Sequence, residues 1–173
     1  MIQRPVFLIG FMGSGKTTWG KKIANALQLP FVDLDHEIVE NIGMSIPEYF
    51  KAHGEDNFRK LEQEYLQKQS GRIAVISTGG GTPCFFDNMD WINKNGLSLY
   101  LYHTSKSLWW RLSQSDVNKR PVLKGLSGEE LFDFIDSKLK EREPYYNQAH
   151  IKFEQIHTSL EEIIALIKNN DTN

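Results

Sequence analysis

The run Gly10-Phe11-Met12-Gly13-Ser14-Gly15-Lys16-Thr17 fits the pattern G-x-x-x-x-G-K-[ST] at every fixed position. Glycines at this spacing let the backbone curl so that successive N–H groups converge on phosphate oxygens, at a helix N-terminus that favours negative charge. In such a loop the Lys16 ammonium reaches the β- and γ-phosphates and the Thr17 hydroxyl ligates Mg²⁺, while Gly13, Ser14, Gly15 and Thr18 complete the cradle. Chance alone yields about one match per 150–200 chains of this size. A chance match would have no reason to follow an apolar run, Val6–Ile9, and to open a helical pattern. The loop reads as a nucleotide site.

A phosphate loop does not by itself separate a kinase from a switch GTPase or a motor ATPase. Its usual companion is an apolar strand ending in Asp, yet Ile73–Ser77 runs into Ser77-Thr78. The available carboxylates are Asp33 and Asp35, at the end of the short apolar run Phe31–Asp33. A guanine-reading Asn-Lys-x-Asp is also absent, because Asn93-Lys94-Asn95 and Asn118-Lys119-Arg120 both lack the Asp. This argues against a GTPase.

Four further clusters call for an explanation: Asp33-Leu34-Asp35, Gly54-Glu55 with Phe58-Arg59, Gly79-Gly80-Gly81, and Glu141-Arg142 with Pro144-Tyr145. Each has a bland reading. The aspartates can cap a helix before His36, Arg59 and Arg142 can be solvated helix residues, and the glycines can be a plain turn. The turn, however, follows a strand, and the C-terminal strand edge is where open α/β sheets bind ligands. Trp109-Trp110 reads as core packing or lid anchoring, Cys84 reads as packing, and the histidines show no metal-ligand spacing.

The elements that must position these groups alternate between short apolar runs and longer helical patterns, the mark of a parallel α/β sheet. Strands are expected at Val6–Ile9, Phe31–Asp33, Ile73–Ser77, Leu97–Leu101 and Ile151–Phe153, with a helix from Thr17 to Leu27. Three capping boxes mark helix starts: Ser45 with Glu48, Ser127 with Glu130, and Thr158 with Glu161. Residues 37–69 are helical and charged without a strand, too long for an ordinary connection, and read as an inserted helical region. The polar stretch 113–125, holding Arg120-Pro121, reads as a mobile loop.

At 173 residues, with 40% hydrophobic and 24% charged, the chain suits one globular domain and excludes a disordered or fibrous protein. A formal net charge of -2 offers no basic field for nucleic acid or an anionic membrane. No apolar stretch is long enough to span a bilayer or to serve as a signal-peptide core. The single cysteine fits a reducing compartment, so the expectation is a cytoplasmic protein.

Taken together and in order, the phosphate loop and the four clusters resemble the shikimate kinases, from about Val6 to Phe153. The resemblance implies an α/β P-loop fold of the nucleoside-monophosphate-kinase type, with a five-stranded parallel sheet, a helical substrate-binding insertion over 37–69 and a lid over 113–125. It implies transfer of the γ-phosphoryl of ATP to the 3-hydroxyl of shikimate, with Mg²⁺, by a monomeric or weakly associating enzyme. Lys16 then resembles the phosphate-binding lysine, Thr17 and Asp33 the metal-binding pair, and Asp35 the acceptor of the substrate proton. Arg59 and Arg142 resemble the grip on the shikimate carboxylate, Gly79, Gly80 and Gly81 the donors to its hydroxyls, and Glu62 the acid that orients Arg59. Phe50 and Phe58 match pocket-lining aromatics, and Arg120 matches the lid arginine that closes on ATP. An adenine-stacking arginine is expected seven residues before Arg120, where Ser113 stands; Arg111 serves only if the loop is two residues longer. The loop Glu154-Gln155-Ile156-His157 matches the adenine side poorly, and His157 reads as a surface residue.

Overall fold

Parallel strands must be joined by crossovers of a dozen residues or so, and each apolar run of this chain is followed by helix. A computed structural model describes residues 2–115 and 121–171. Strands β1 (Val6–Ile9), β2 (Phe31–Asp33), β3 (Val75–Ser77), β4 (Leu97–Leu101) and β5 (Ile151–Phe153) form one five-stranded sheet, ordered β2-β3-β1-β4-β5. Every adjacent pair is parallel, and Leu8 is level with Ser77 on one side and Leu99 on the other. The loops that follow β1, β2 and β3 therefore leave from the same edge, beside the point where the chain reverses its direction of winding. That edge is where the site must lie.

Side-chain alternation divides the core in two. Val6 and Leu8 face α1 (Lys16–Leu27) and α8 (Leu160–Asp171), packing with Ile23, Ala24, Ile163 and Ile167. Phe7 and Ile9 face the other layer, which holds α2 (Leu34–Ile42), α3 (Ile46–His53), α4 (Glu55–Gln67), α5 (Asn88–Asn95), α6 (Ser105–Ser113) and α7 (Gly128–Tyr146). Because both faces are covered, β1 and β4 are buried throughout, which explains the unbroken apolar run of β1 and a β4 whose one polar residue, Ser98, is hydrogen-bonded to Asn93. Among the described residues no helix is long and apolar enough to cross a membrane.

Several boundaries differ from the sequence reading. β3 starts at Val75, two residues after the apolar run begins, and the Ala74 carbonyl accepts from Val6 N at 2.9 Å. The helical region starts at Leu34, since Asp33 itself caps α2 by accepting from His36 N at 3.4 Å. The box at Ser45 is present in full: Glu48 N donates to Ser45 Oγ at 3.4 Å and Ser45 N to Glu48 Oε2 at 2.8 Å. Ser127 precedes α7 but makes no side-chain cap. The last box is Ser159 with Glu162, closed at 3.2 and 2.7 Å. Thr158-Ser159 and Glu161-Glu162 satisfy the same spacing one residue apart, so the pattern alone does not choose between them.

The two serines give a paired prediction. Ser45→Ala removes a working cap and should lower stability by about 1 kcal/mol, read as a lower urea midpoint at constant slope. Ser127→Ala should leave the midpoint in place.

Candidate active site

The phosphate loop leaves β1 and enters α1 through glycines that other residues could not replace. Gly15, at φ 97°, is the left-handed residue that caps α1, and a Cβ on Gly13 (φ 76°) would lie 2.7 Å from Leu112. Lys16 is buried and donates to the carbonyls of Gly10 (2.8 Å) and Phe11 (3.0 Å), which lays its stem along the loop. His103, two residues beyond β4, supports the loop from below. Its Nε2 is 2.9 Å from the Ser14 carbonyl and its Nδ1 3.0 Å from Ser107 Oγ. Burial lowers its pKa, so the ring is neutral, with Nε2–H donating and Nδ1 accepting. Nothing in the sequence marked His103 for this role.

At the neighbouring strand end, Thr17 Oγ1 donates to Asp33 Oδ2 at 2.9 Å. Asp33 thus caps α2 with one oxygen and meets the phosphate loop with the other, so the capping reading holds and leaves the second oxygen facing the loop. Asp35, in the first turn of α2, points inward. Burial, together with the charges of Glu62 and Asp33, raises its pKa to about 7, against the pull of Lys16 and Arg59. The sequence reading required no such shift.

Glu62 is almost wholly buried, accepting from Thr82 Oγ1 at 2.6 Å and from Arg59 Nη1 at 3.0 Å. Arg59 also donates to Glu55 at 2.8 Å. Its guanidinium lies 4.2 Å from the centroid of Phe85, with Phe50 and Phe58 at 5.8 and 5.6 Å. Phe85, absent from the sequence reading, is the nearest of these rings.

The turn after β3 joins these groups. A Cβ on Gly79 would stand 2.7 Å from both Asp35 Oδ1 and Glu62 Oε1; one on Gly81 would stand 2.7 Å from Arg59 Nη1. A Cβ on Gly80 would meet Met12 N at 3.2 Å and Arg142 Nη1 at 3.5 Å. The three glycines are therefore close-approach positions, not a plain turn: carboxylates, phosphate loop and both arginines touch consecutive residues. Arg142 packs over Phe11 at 5.4 Å, and its Nη1 is buried with no hydrogen-bond partner.

In front of this wall opens a cleft of about 730 Å³, lined by the phosphate loop, Thr17, Thr18, Asp33, Asp35, Ser77, Thr78 and Gly80. Its far side carries Trp110 and Arg111. Arg111 Nε donates to the Gly13 carbonyl at 2.8 Å, whereas the Ser113 hydroxyl is turned to its own helix, donating to Trp109 O at 2.7 Å. Of the two candidates for the adenine side, Arg111 is the one on the cleft. Trp110 is 61% exposed at the cleft and is not a core residue, while Trp109 ties α6 to the start of α7 through Gly128 O at 2.9 Å. Gln155 belongs to the loop that matches the adenine side poorly in sequence; its Oε1 takes the Trp19 Nε1–H at 3.1 Å and comes within 3.8 Å of the Gly15 Cβ position. His157 is exposed beside Glu154. Burial pushes the Cys84 thiol up to about 11, as suits packing. Arg120 lies outside the described residues.

Comparison with known proteins agrees with this geometry. The shikimate kinase family model matches residues 12–170. A shikimate kinase of Bacteroides fragilis is 41% identical over 171 residues, covering 94% of this chain and 95% of that protein. The crystal structure of shikimate kinase from Bacteroides thetaiotaomicron superposes with a TM-score of 0.84 at 38% identity, covering 98% of this chain and 97% of that one. Shikimate kinase from Acinetobacter baumannii in complex with shikimate gives 0.86 at 31% identity, covering 99% and 96%. The chain belongs to the shikimate kinase family.

Proposed function

We propose that this protein transfers the γ-phosphoryl group of ATP to the 3-hydroxyl of shikimate, giving shikimate 3-phosphate and ADP. One observation carries the reading: Asp35, Arg59 and Arg142 converge on the Gly79–Gly81 turn at the lip of a phosphate loop. An acceptor carboxylate held by the two guanidinium groups would present a hydroxyl toward Asp35 and the loop. As that hydroxyl oxygen bonds to the γ-phosphorus, the bond to the β,γ-bridging oxygen breaks and Asp35 takes the proton. Lys16 neutralises charge on the transferring group, and the backbone N–H groups of Gly13 to Thr18 hold the remaining phosphates.

Thr17 and Asp33 suit Mg²⁺, which keeps most of its octahedron for phosphate and water and needs few protein ligands. Among the described residues no three His, Cys, Asp or Glu side chains gather into a cage for an ion, which agrees with such a sparse site. Bound there, Mg²⁺ would screen the phosphate oxygens from the incoming hydroxyl. We assign Arg120 to the phosphates, in a lid over 113–125, by its Arg-Pro motif alone. The same reading makes the enzyme a monomer of the reducing cytoplasm.

A coupled assay of ADP release over shikimate, gluconate and AMP tests the assignment. Release should depend on shikimate; equal release without acceptor would refute a kinase.

Asp35→Asn should lower kcat by about 10²-fold or more with little change in the KM for ATP. The wild-type kcat/KM for shikimate should rise with pH through about 7, as Asp35 loses its proton. Because its folded pKa lies above the ordinary carboxylate value of 3.8, ionising Asp35 destabilises the fold increasingly as pH rises between those two values. Asp35→Asn should therefore raise the melting temperature, and more at pH 8 than at pH 5. A variant destabilised equally at both would show that Asp35 is not a buried charge.

The arginines make the complementary prediction. A shikimate analogue with an amide for the carboxylate should lose about 10²–10³-fold in kcat/KM. Arg142→Lys should lose much of that discrimination, because a point charge cannot reproduce a planar fork. Kinetics of both substrates with both proteins decide it.

A further inference from the structure

Tyr146 is the last residue of α7, one turn after Arg142, and its side chain is fully buried. A wholly buried phenol whose hydroxyl finds no partner carries a desolvation cost, which a hydrogen bond removes. Here the hydroxyl donates to the carbonyl of Gly80 at 2.5 Å, while the ring packs on Tyr100 at 5.0 Å. Burial pushes its pKa far above the ordinary range, against the pull of nearby Arg142, so it stays a donor at any working pH.

Gly80 is the middle residue of the turn that touches both arginines and the phosphate loop. Its carbonyl and the Gly81 N–H belong to one trans peptide, so they point in opposite directions. Fixing the carbonyl toward α7 therefore aims the Gly81 N–H away from Tyr146. Backbone bonds from Thr82 N to the Gly79 carbonyl (3.2 Å) and from Cys84 N to the Gly81 carbonyl (2.8 Å) hold the ends of the turn, but its central peptide, with no Cβ on either side, can still flip between turn types. We propose that Tyr146 is a positioning residue for the acceptor site: its hydroxyl locks the Gly80–Gly81 peptide so that the Gly81 amide faces the substrate, in register with Arg142 on the same helix. The proposal rests on the reading of this pocket as the acceptor site. It predicts an effect on acceptor binding alone, since the phosphate loop keeps its own supports in Lys16 and His103.

Tyr146→Phe removes only the hydroxyl. It should raise the KM for shikimate about tenfold, leaving kcat and the KM for ATP within about twofold. Tyr100→Phe is the control, because its hydroxyl is equally buried yet has no partner; the shikimate KM should not move. A fall in melting temperature for Tyr146→Phe with an unchanged shikimate KM would reduce Tyr146 to a structural residue and overturn the proposal. Arg142→Lys run alongside separates the two levels. If it raises the shikimate KM and Tyr146→Phe does not, only the positioning role falls; if neither does, the acceptor pocket falls with it. Hydrogen exchange in the wild type needs no variant to fold: the Gly81 amide should gain protection on adding shikimate, and unchanged exchange would overturn the proposal.

Discussion

Two carboxylates crowded into one buried place constrain everything else in this molecule. Asp35 Oδ1 and Glu62 Oε1 both come to 2.7 Å from the same point beside Gly79. Like charges so close and so dry cannot both ionise freely unless cations are near. The fold answers with a division of labour. Glu62 is tied to Arg59 and Thr82, while Asp35, with no ion pair among the described residues, keeps its proton up to about 7. A carboxylate held near neutrality can pick up a proton from a reacting hydroxyl and give it up afterwards. Removing Arg59 would leave Glu62 uncompensated and push Asp35 further up, so in the function proposed above the arginine would serve the base as well as the substrate.

That arrangement depends on the sheet. The phosphate loop, Asp33 and the glycine turn come from three different strand ends, and parallel pairing in the order β2-β3-β1 makes those ends neighbours. β3 lies between β2 and β1, with Ser77 level with Asp33 on one side and Leu8 on the other. The groups that meet phosphate and the groups that meet the acceptor are thus fixed to one rigid edge, and Arg59 and Arg142 approach it from helices packed on the same face. A rigid edge suits a reaction in which most of the acceleration comes from holding two reactants in line.

The sheet was legible because its signals are redundant: the strands are mostly apolar, β5 being the weakest with Lys152 at its centre, and each is bounded by a turn or a helix start. The phosphate loop was legible because backbone curvature around phosphate admits few residue types. What stayed hidden depends on contacts between residues distant in sequence. A histidine below the loop, Phe85 under Arg59 and Gln155 beside Gly15 carry no local pattern, and only the folded chain brings them to the site. Trp110 misled for the opposite reason: an aromatic in a helical pattern reads as core, yet its helix rotates Leu108 and Leu112 inward and leaves Trp110 at the cleft. The bland and functional readings of Asp33 proved compatible, since a carboxylate has two oxygens and the cap uses one.

The geometry also bears on which hydroxy acid the site prefers. Arg142 brings a buried Nη1 without a partner to the glycine turn, and a buried unpaired donor is costly until an anion completes it. An acceptor carboxylate supplies that anion, but any hydroxy acid has one. The discrimination must come from the second constraint, that a hydroxyl of the same molecule reaches Asp35 while the carboxylate stays in the fork. A ring presents its carboxylate and hydroxyl at one fixed separation and meets both constraints without further loss of freedom. An open-chain acid must freeze several rotors to do the same, each at about 0.5–1.5 kcal/mol. With both ends of the site held by packed side chains, rigidity in the pocket would select rigidity in the ligand, and the carboxylate grip proposed above would act as a ruler as well as a charge.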